Sequence, residues 1–196
     1  MGDDQHYRNQ AERCRVAVAQ VSPVYLDRDA TIAKGISLIS EAADAGAQII
    51  AFPETWVPGY PLWIYGAASW GDERAKRGYA RLLAESLEIP SPATDVLSDA
   101  AISHGIEVVM GINELAGGTL FNSLLYLRPD GGLLVHRKLV PTHAERIVWG
   151  RAEDGSGLVV ADTPYGGLGG LICWEHWMPL ARFAMHAQSE RIHIAV

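Results

Sequence analysis

The sequence predicts an α/β domain in which a mixed sheet is covered by helices, and three observations carry that expectation. Short apolar, β-branched runs alternate with helical patterns along most of the chain. The first two runs, "RVAVAQV" and "AQIIAFPE", enclose one helical stretch, giving a βαβ unit that implies parallel pairing and a right-handed crossover. Later, "RPDGG" separates two apolar runs and marks an antiparallel hairpin, so both strand senses occur in one chain.

Taken in order, "RVAVAQV" (15–21) is the first strand. In "DATIAKGISLISEAADAG", Ile32, Ile36, Ile39 and Ala43 fall on one helical face, with Asp29 as a candidate cap and Gly46 as the left-handed stop. "AQIIAFPE" is a buried strand stopped by Pro53. "TWVPGYPLWIYGAASWG" is a long irregular loop rich in Trp, Pro and Gly. Helical patterns follow over Glu73–Leu87 and Thr94–His104, parted by "IPSP", and Gly105 ends the second. "IEVVMGI" is a strand, and "TLFNSLLYL" and "GLLVHRKLV" form the hairpin around "RPDGG". "GLVVAD" and "GGLGGLIC" pair around "TPYG", a helix runs from about Pro179 to Ser189, and "RIHIAV" begins a last strand. No repeat or linker divides residues 1–196, so one domain is expected; because the chain stops inside a strand, that domain is expected to lack its C-terminal part.

Composition narrows the function classes. The net charge of −7, with scattered basic residues, disfavours nucleic acid and anionic membranes as partners. No apolar run reaches the roughly 18 residues of a membrane span. The polar start "MGDDQHYRNQAER" has no signal-peptide core, and two cysteines do not make a disulfide framework. A reduced, cytoplasmic protein is expected.

Three unlike reactive side chains close three strands: Glu54 after "IIAF", Lys138 after "LLVHR" and Cys173 after "GGLGGLI". The carboxyl ends of strands are where open α/β sheets build ligand sites. Each residue alone has an ordinary structural explanation: a core thiol, a cap and a solvated edge lysine. Together they suit nucleophilic chemistry, because a thiol near pKa 8.5 needs a base, a cation or backbone amides to become a thiolate. Glu54 could be the base and Lys138 the cation, and the amide of Trp174 could face a developing anion.

"FPETWVPGYP", "HRKLVPTHAERIVWG" and "LICWEHWMPL" strongly resemble, in order and interval, the three catalytic blocks of the nitrilase branch of the carbon–nitrogen hydrolase superfamily. The resemblance runs from about Arg15 to the last residue. It implies an αββα sandwich, with Glu54, Lys138 and Cys173 catalytic and Glu145 in "PTHAER" as an additional glutamate. It also implies that Tyr60 lies near the substrate and that the Trp174 amide contacts the intermediate. The implied reaction is hydrolysis of an organic nitrile to a carboxylic acid and ammonia through a thioimidate and a thioester, without cofactor or metal. The implied assembly is a homodimer that can extend into helical homo-oligomers. An amidase or cyanide-converting member of the superfamily, or a truncated self-associating domain without activity, remain the alternatives.

Other motifs carry less. His136, His143 and His176 lack metal-ligand spacing, since Pro141 interrupts the first two, and neither HExxH nor CxxC occurs. GxSxG is absent, and "GGLGG" does not open a helix in the dinucleotide-binding manner. Trp56, Tyr60, Trp63, Tyr65 and Trp70 fit a substrate pocket, a packed lid or a dimer contact equally well, with Tyr60 favoured for the pocket. Glu175, two residues after the cysteine, has no assigned role.

Overall fold

The computed structural model describes residues 13–66 and 71–196; the polar N-terminal stretch and Trp70 lie outside the described residues. Two sheets stack face to face. The first has five strands in the order β1 (Val16–Val18), β2 (Ile49–Ala51), β3 (Glu107–Ala116), β4 (Thr119–Leu127) and β5 (Leu133–Arg137). Its first three strands are parallel and its last two pairings antiparallel. The second sheet contains β6 (Ala161–Thr163), β7 (Gly166–Leu171) and β8 (Glu190–Ala195), with β7 antiparallel to β6 and parallel to β8.

Where a single mixed sheet was expected from periodicity, the chain builds two, and the sandwich implied by the resemblance is the one formed. Ile49, Ala51, Val109, Leu124 and Tyr126 of the first sheet meet Ala161, Leu168, Ile172 and Ile194 of the second, forming the inter-sheet core. On the outer face of the first sheet, α1 (Arg28–Asp44) and α3 (Pro92–His104) bury Ile32, Ile39, Leu97 and Ala101. On the far side, α4 (Pro179–Ala187) packs Ala181 and Met185 on Leu171 of β7. Burial of such apolar faces, at roughly 25 cal/mol per Å², drives the layering.

Local chemistry sets the boundaries, and several differ from the expected ones. Helix α1 is capped by Asp27, which accepts from the Ala30 amide, rather than by Asp29, which lies in the first turn. Helix α2 (Glu73–Glu85) is capped by Asp72 and ends two residues early. Helix α3 starts at Pro92 behind a Ser91 cap, because proline is tolerated in the first turn and Ser91 and Thr94 close a capping box. Gly105, at φ +62°, ends it in the left-handed conformation, as expected. Strand β3 runs past "IEVVMGI" to Ala116 and pairs along its length with β4 through the Gly117–Gly118 turn, a second hairpin not anticipated.

Candidate active site

Each reactive residue leaves its strand on a different connection, and the sandwich gathers the three. Glu54 follows β2, Lys138 follows β5, and Cys173 follows β7. The backbone turns sharply at each block: Thr55 has φ +47°, His143 φ +47° and Cys173 φ +54°, values uncommon for residues with a side chain. The first turn also needs a bare strand beneath it. A Cβ at Gly111 in β3 would lie 2.8 Å from the Glu54 Cα and 2.6 Å from the Thr55 nitrogen.

Lys138 is the centre of the arrangement. Its Nζ, buried, donates to Glu54 Oε1 at 2.9 Å and to Glu145 Oε2 at 2.8 Å. Burial works against its ammonium, but the two carboxylates outweigh that and hold its pKa above the ordinary lysine value. Glu145 sits in a 3-10 turn (His143–Ile147), where its Oε2 also accepts from the Thr142 amide at 2.7 Å. Tyr60 donates to Glu145 Oε1 at 3.0 Å and meets the Tyr65 hydroxyl at 2.8 Å. Burial, the Tyr65 hydrogen bond and the Glu145 charge keep the Tyr60 phenol protonated far above its usual range, so it acts only as a neutral hydroxyl.

The Cys173 sulfur and one carboxylate oxygen each from Glu54 and Glu145 lie within 4.8 Å of one another. Burial and the charge of Glu54 raise the thiol above its ordinary pKa, while Lys138 and the Trp174 amide pull it down. The net direction is upward, so the resting group is a thiol with a carboxylate at hand to take its proton. Among the described residues, this trio is the one group of three or more His, Cys, Asp or Glu ligand atoms gathered closely enough for a metal. Lys138 Nζ already lies against both of its carboxylates.

The structure therefore brings Glu54, Tyr60, Lys138, Glu145 and Cys173 together, with the Trp174 backbone amide beside the sulfur. The Trp174 ring is exposed and stacks on Trp177 with centroids 5.6 Å apart. The other loop aromatics divide. Trp56 is core, packed on Phe52 and donating to the Val21 carbonyl, and Trp63 packs in a separate cluster with Tyr79 and Leu82. Tyr65 is exposed and reaches the site through the Tyr60 hydroxyl. His136 and His143 take no part in the trio, and His176 hydrogen-bonds the Cys173 carbonyl and His193. A groove of about 810 Å³ opens beside Glu54 and Tyr60, bordered by Val18, Gln20 and Ile194. A cavity of about 350 Å³ over Glu114 and Arg137 contains none of the reactive groups.

Two residues escaped the sequence reading. Asn122 of β4 donates from Nδ2 to Glu54 Oε1 at 2.7 Å, and its main-chain carbonyl accepts from the Lys138 amide at 2.8 Å, so it orients both. Its partner across the ladder, Asn113, holds the Val57 and Gly59 carbonyls and accepts from Trp149, fixing the loop that carries Tyr60. Aligned asparagines inside two otherwise apolar strands were the available signal, because buried amides persist only when hydrogen-bonded.

A family model described as carbon–nitrogen hydrolase matches residues 15–196. The chain belongs to that family. It is 45% identical over 183 residues to a nitrilase of Bacillus sp. (strain OxB-1), covering 92% of this chain and 52% of that protein. It is 43% identical over 182 residues to an arylacetonitrilase of Hypocrea virens, covering 92% of this chain and 54% of that one. These relatives put this carbon–nitrogen hydrolase on the nitrilase branch, and it spans about half their length. A crystal structure of an amidase from Nesterenkonia sp. superposes with a TM-score of 0.70 at 19% identity, covering 93% of this chain and 64% of that one, a likeness of fold.

Proposed function

We propose that this site hydrolyses an organic nitrile to a carboxylic acid and ammonia. The observation that carries the reading is the meeting of the Cys173 thiol with Glu54 and Glu145 around the Lys138 ammonium. Glu54 accepts the thiol proton as sulfur adds to the nitrile carbon, and returns it to nitrogen, giving a thioimidate. Lys138 stabilises charge at the substrate nitrogen and in the tetrahedral species, with the Trp174 amide as a further donor. Water activated by Glu54 adds, the carbon–nitrogen bond breaks, ammonia leaves, and a thioester remains on Cys173. A second water breaks the carbon–sulfur bond and releases the acid, restoring the thiol. Tyr60 orders Glu145, and Glu145 orders Lys138.

The test is ammonia release from aryl, arylaliphatic and aliphatic nitriles beside their amides, with acyl-Cys173 trapped for mass spectrometry. Turnover of nitriles with an adduct on Cys173 is expected. Hydrolysis of amides alone would assign the site to amide chemistry instead.

The reading extends to a homo-oligomer working in the cytoplasm. Leu180 and Phe183 of α4 are 81% and 69% exposed, and Trp177, in the turn just before the helix, is 77% exposed; this apolar surface supports pairing with a second copy. Light scattering on Phe183→Glu should report a smaller species. Both cysteines are free thiols, which supports a reducing compartment.

A further inference from the structure

Glu175 lies two residues beyond the nucleophile and is fully buried, yet it touches none of the reactive groups. Its Oε1 accepts from the Leu139 amide at 2.7 Å, and its Oε2 from the Ile172 amide at 2.7 Å and from His136 Nε2 at 2.8 Å. Leu139 follows Lys138, and Ile172 precedes Cys173. One carboxylate thus ties the backbone carrying the cation, in one sheet, to the backbone carrying the nucleophile, in the other.

Hydrogen counting shows what joins the pair. His136 Nδ1 lies 3.0 Å from the Gly157 carbonyl, which can only accept, so Nδ1 carries a hydrogen. A neutral ring would then present a bare Nε2 to a carboxylate oxygen, two acceptors face to face. A hydrogen therefore lies between Nε2 and Oε2, and the two amides supply the other donors to the carboxylate. We propose that Glu175, held by His136 and by the Leu139 and Ile172 amides, is the positioning residue that sets the separation of Cys173 and Lys138 across the two sheets. Burial pushes the Glu175 carboxyl up, but His136 and the two backbone amides outweigh it and hold the group below its usual range. The proposal rests on Cys173 being the nucleophile of the reaction above, though not on which substrate it attacks.

The test uses Glu175→Gln, whose amide nitrogen opposes one of the backbone donors, and Glu175→Asp, which keeps the charge one methylene short. The main readout is the pH profile of Cys173 alkylation by iodoacetamide, located by mass spectrometry, which needs no nitrile. The charged groups facing Cys173 are Glu54, Lys138 and Glu145, with His176 on its carbonyl; His136 and the Tyr126 phenol face Glu175. Loss of register withdraws Lys138, so the profile should move to higher pH. On the nitrile, kcat should fall about 100-fold with little change in KM, the loss typical of a misplacement near 1 Å. In a Lys138→Ala background, Glu175→Gln should add almost no further shift.

A wild-type alkylation profile in folded Glu175→Gln, or full additivity with Lys138→Ala, would overturn the proposal. Should Glu175→Gln not fold by circular dichroism, Glu175→Asp decides alone: a shifted profile supports the positioning role, and an unshifted one refutes it. Absent nitrile turnover in the wild-type chain, with the alkylation shift intact, refutes the substrate reading and leaves the positioning role standing.

Discussion

Gly111→Ala is the sharpest perturbation the structure offers, because it moves Glu54, the proposed base, without altering a proposed reactive side chain. The new Cβ would stand 2.8 Å from the Glu54 Cα and 2.6 Å from the Thr55 nitrogen, where ordinary contacts begin at 3.4 Å. The Glu54 Cα must therefore retreat by roughly 0.6 Å and the Thr55 nitrogen by roughly 0.8 Å, and the Pro53 carbonyl, which lies closer still, by more. The retreat is resisted by the Phe52 amide bonded to Val109 at 2.8 Å and the Val57 amide bonded to Gly111 at 3.1 Å. A displacement near 1 Å costs about 100-fold in rate, or about 2.7 kcal/mol of transition-state stabilisation. The assay is ammonia release under kcat/KM conditions, with circular dichroism to confirm folding and iodoacetamide alkylation to confirm that Cys173 is present. A folded variant whose kcat/KM stays within about threefold of wild type would refute the argument that Gly111 places Glu54.

Three further outcomes are expected. Lys138→Ala should lower kcat by roughly 10²–10³, since it removes a preorganised charge and leaves Glu54 and Glu145 facing each other unbridged; single-turnover ammonia release measures it. The Cys173 thiol lies above the ordinary cysteine pKa through burial and then Glu54, so its alkylation should climb only at alkaline pH. Glu54→Gln should bring that climb to lower pH and Lys138→Ala should push it higher. Glu107, buried and only partly offset by Arg128, has its pKa raised from 4.5 to about 7. The folded state therefore holds a proton that the unfolded state releases, and stability falls as pH rises through that window. Glu107→Gln should remove the loss, stabilising the chain at pH 8 by on the order of 1–3 kcal/mol and flattening the dependence in urea unfolding.

Much of this arrangement was legible in the residues because the signals were local. The βαβ start followed from strand and helix periods in succession, and "RPDGG" announced the β4–β5 hairpin that ends at Lys138. The placement of three reactive groups at strand ends needed only the element boundaries. The division into two sheets was not legible, since which strands pair depends on contacts far apart in sequence. The Asp27 cap lost to Asp29 because both acids stand in one short polar run and only backbone geometry selects between them. Glu145 lies in a short turn without period, so only the likeness of "PTHAER" to a known block pointed to it. Trp56 stood in an aromatic loop like its neighbours, yet its indole fills the core. Glu175 was hardest: its sequence neighbour is Cys173, but its partners His136 and Leu139 are contributed by the other sheet.

The carboxylates flanking Lys138 have a consequence for the end of the cycle. One ammonium between two carboxylates leaves the cluster with an excess negative charge once Cys173 regains its proton. A nitrile is neutral and feels little of that excess, and ammonia, which takes up a proton in neutral solution, is not repelled by it. The acid product of the proposed reaction, ionised at neutral pH, shares its sign, and in a half-buried cleft like charges repel far more than in water. On the proposed reaction, the same charges that would prepare the attack would also favour release of the ionised acid, and would disfavour entry of substrates that already carry an anionic group near the nitrile carbon.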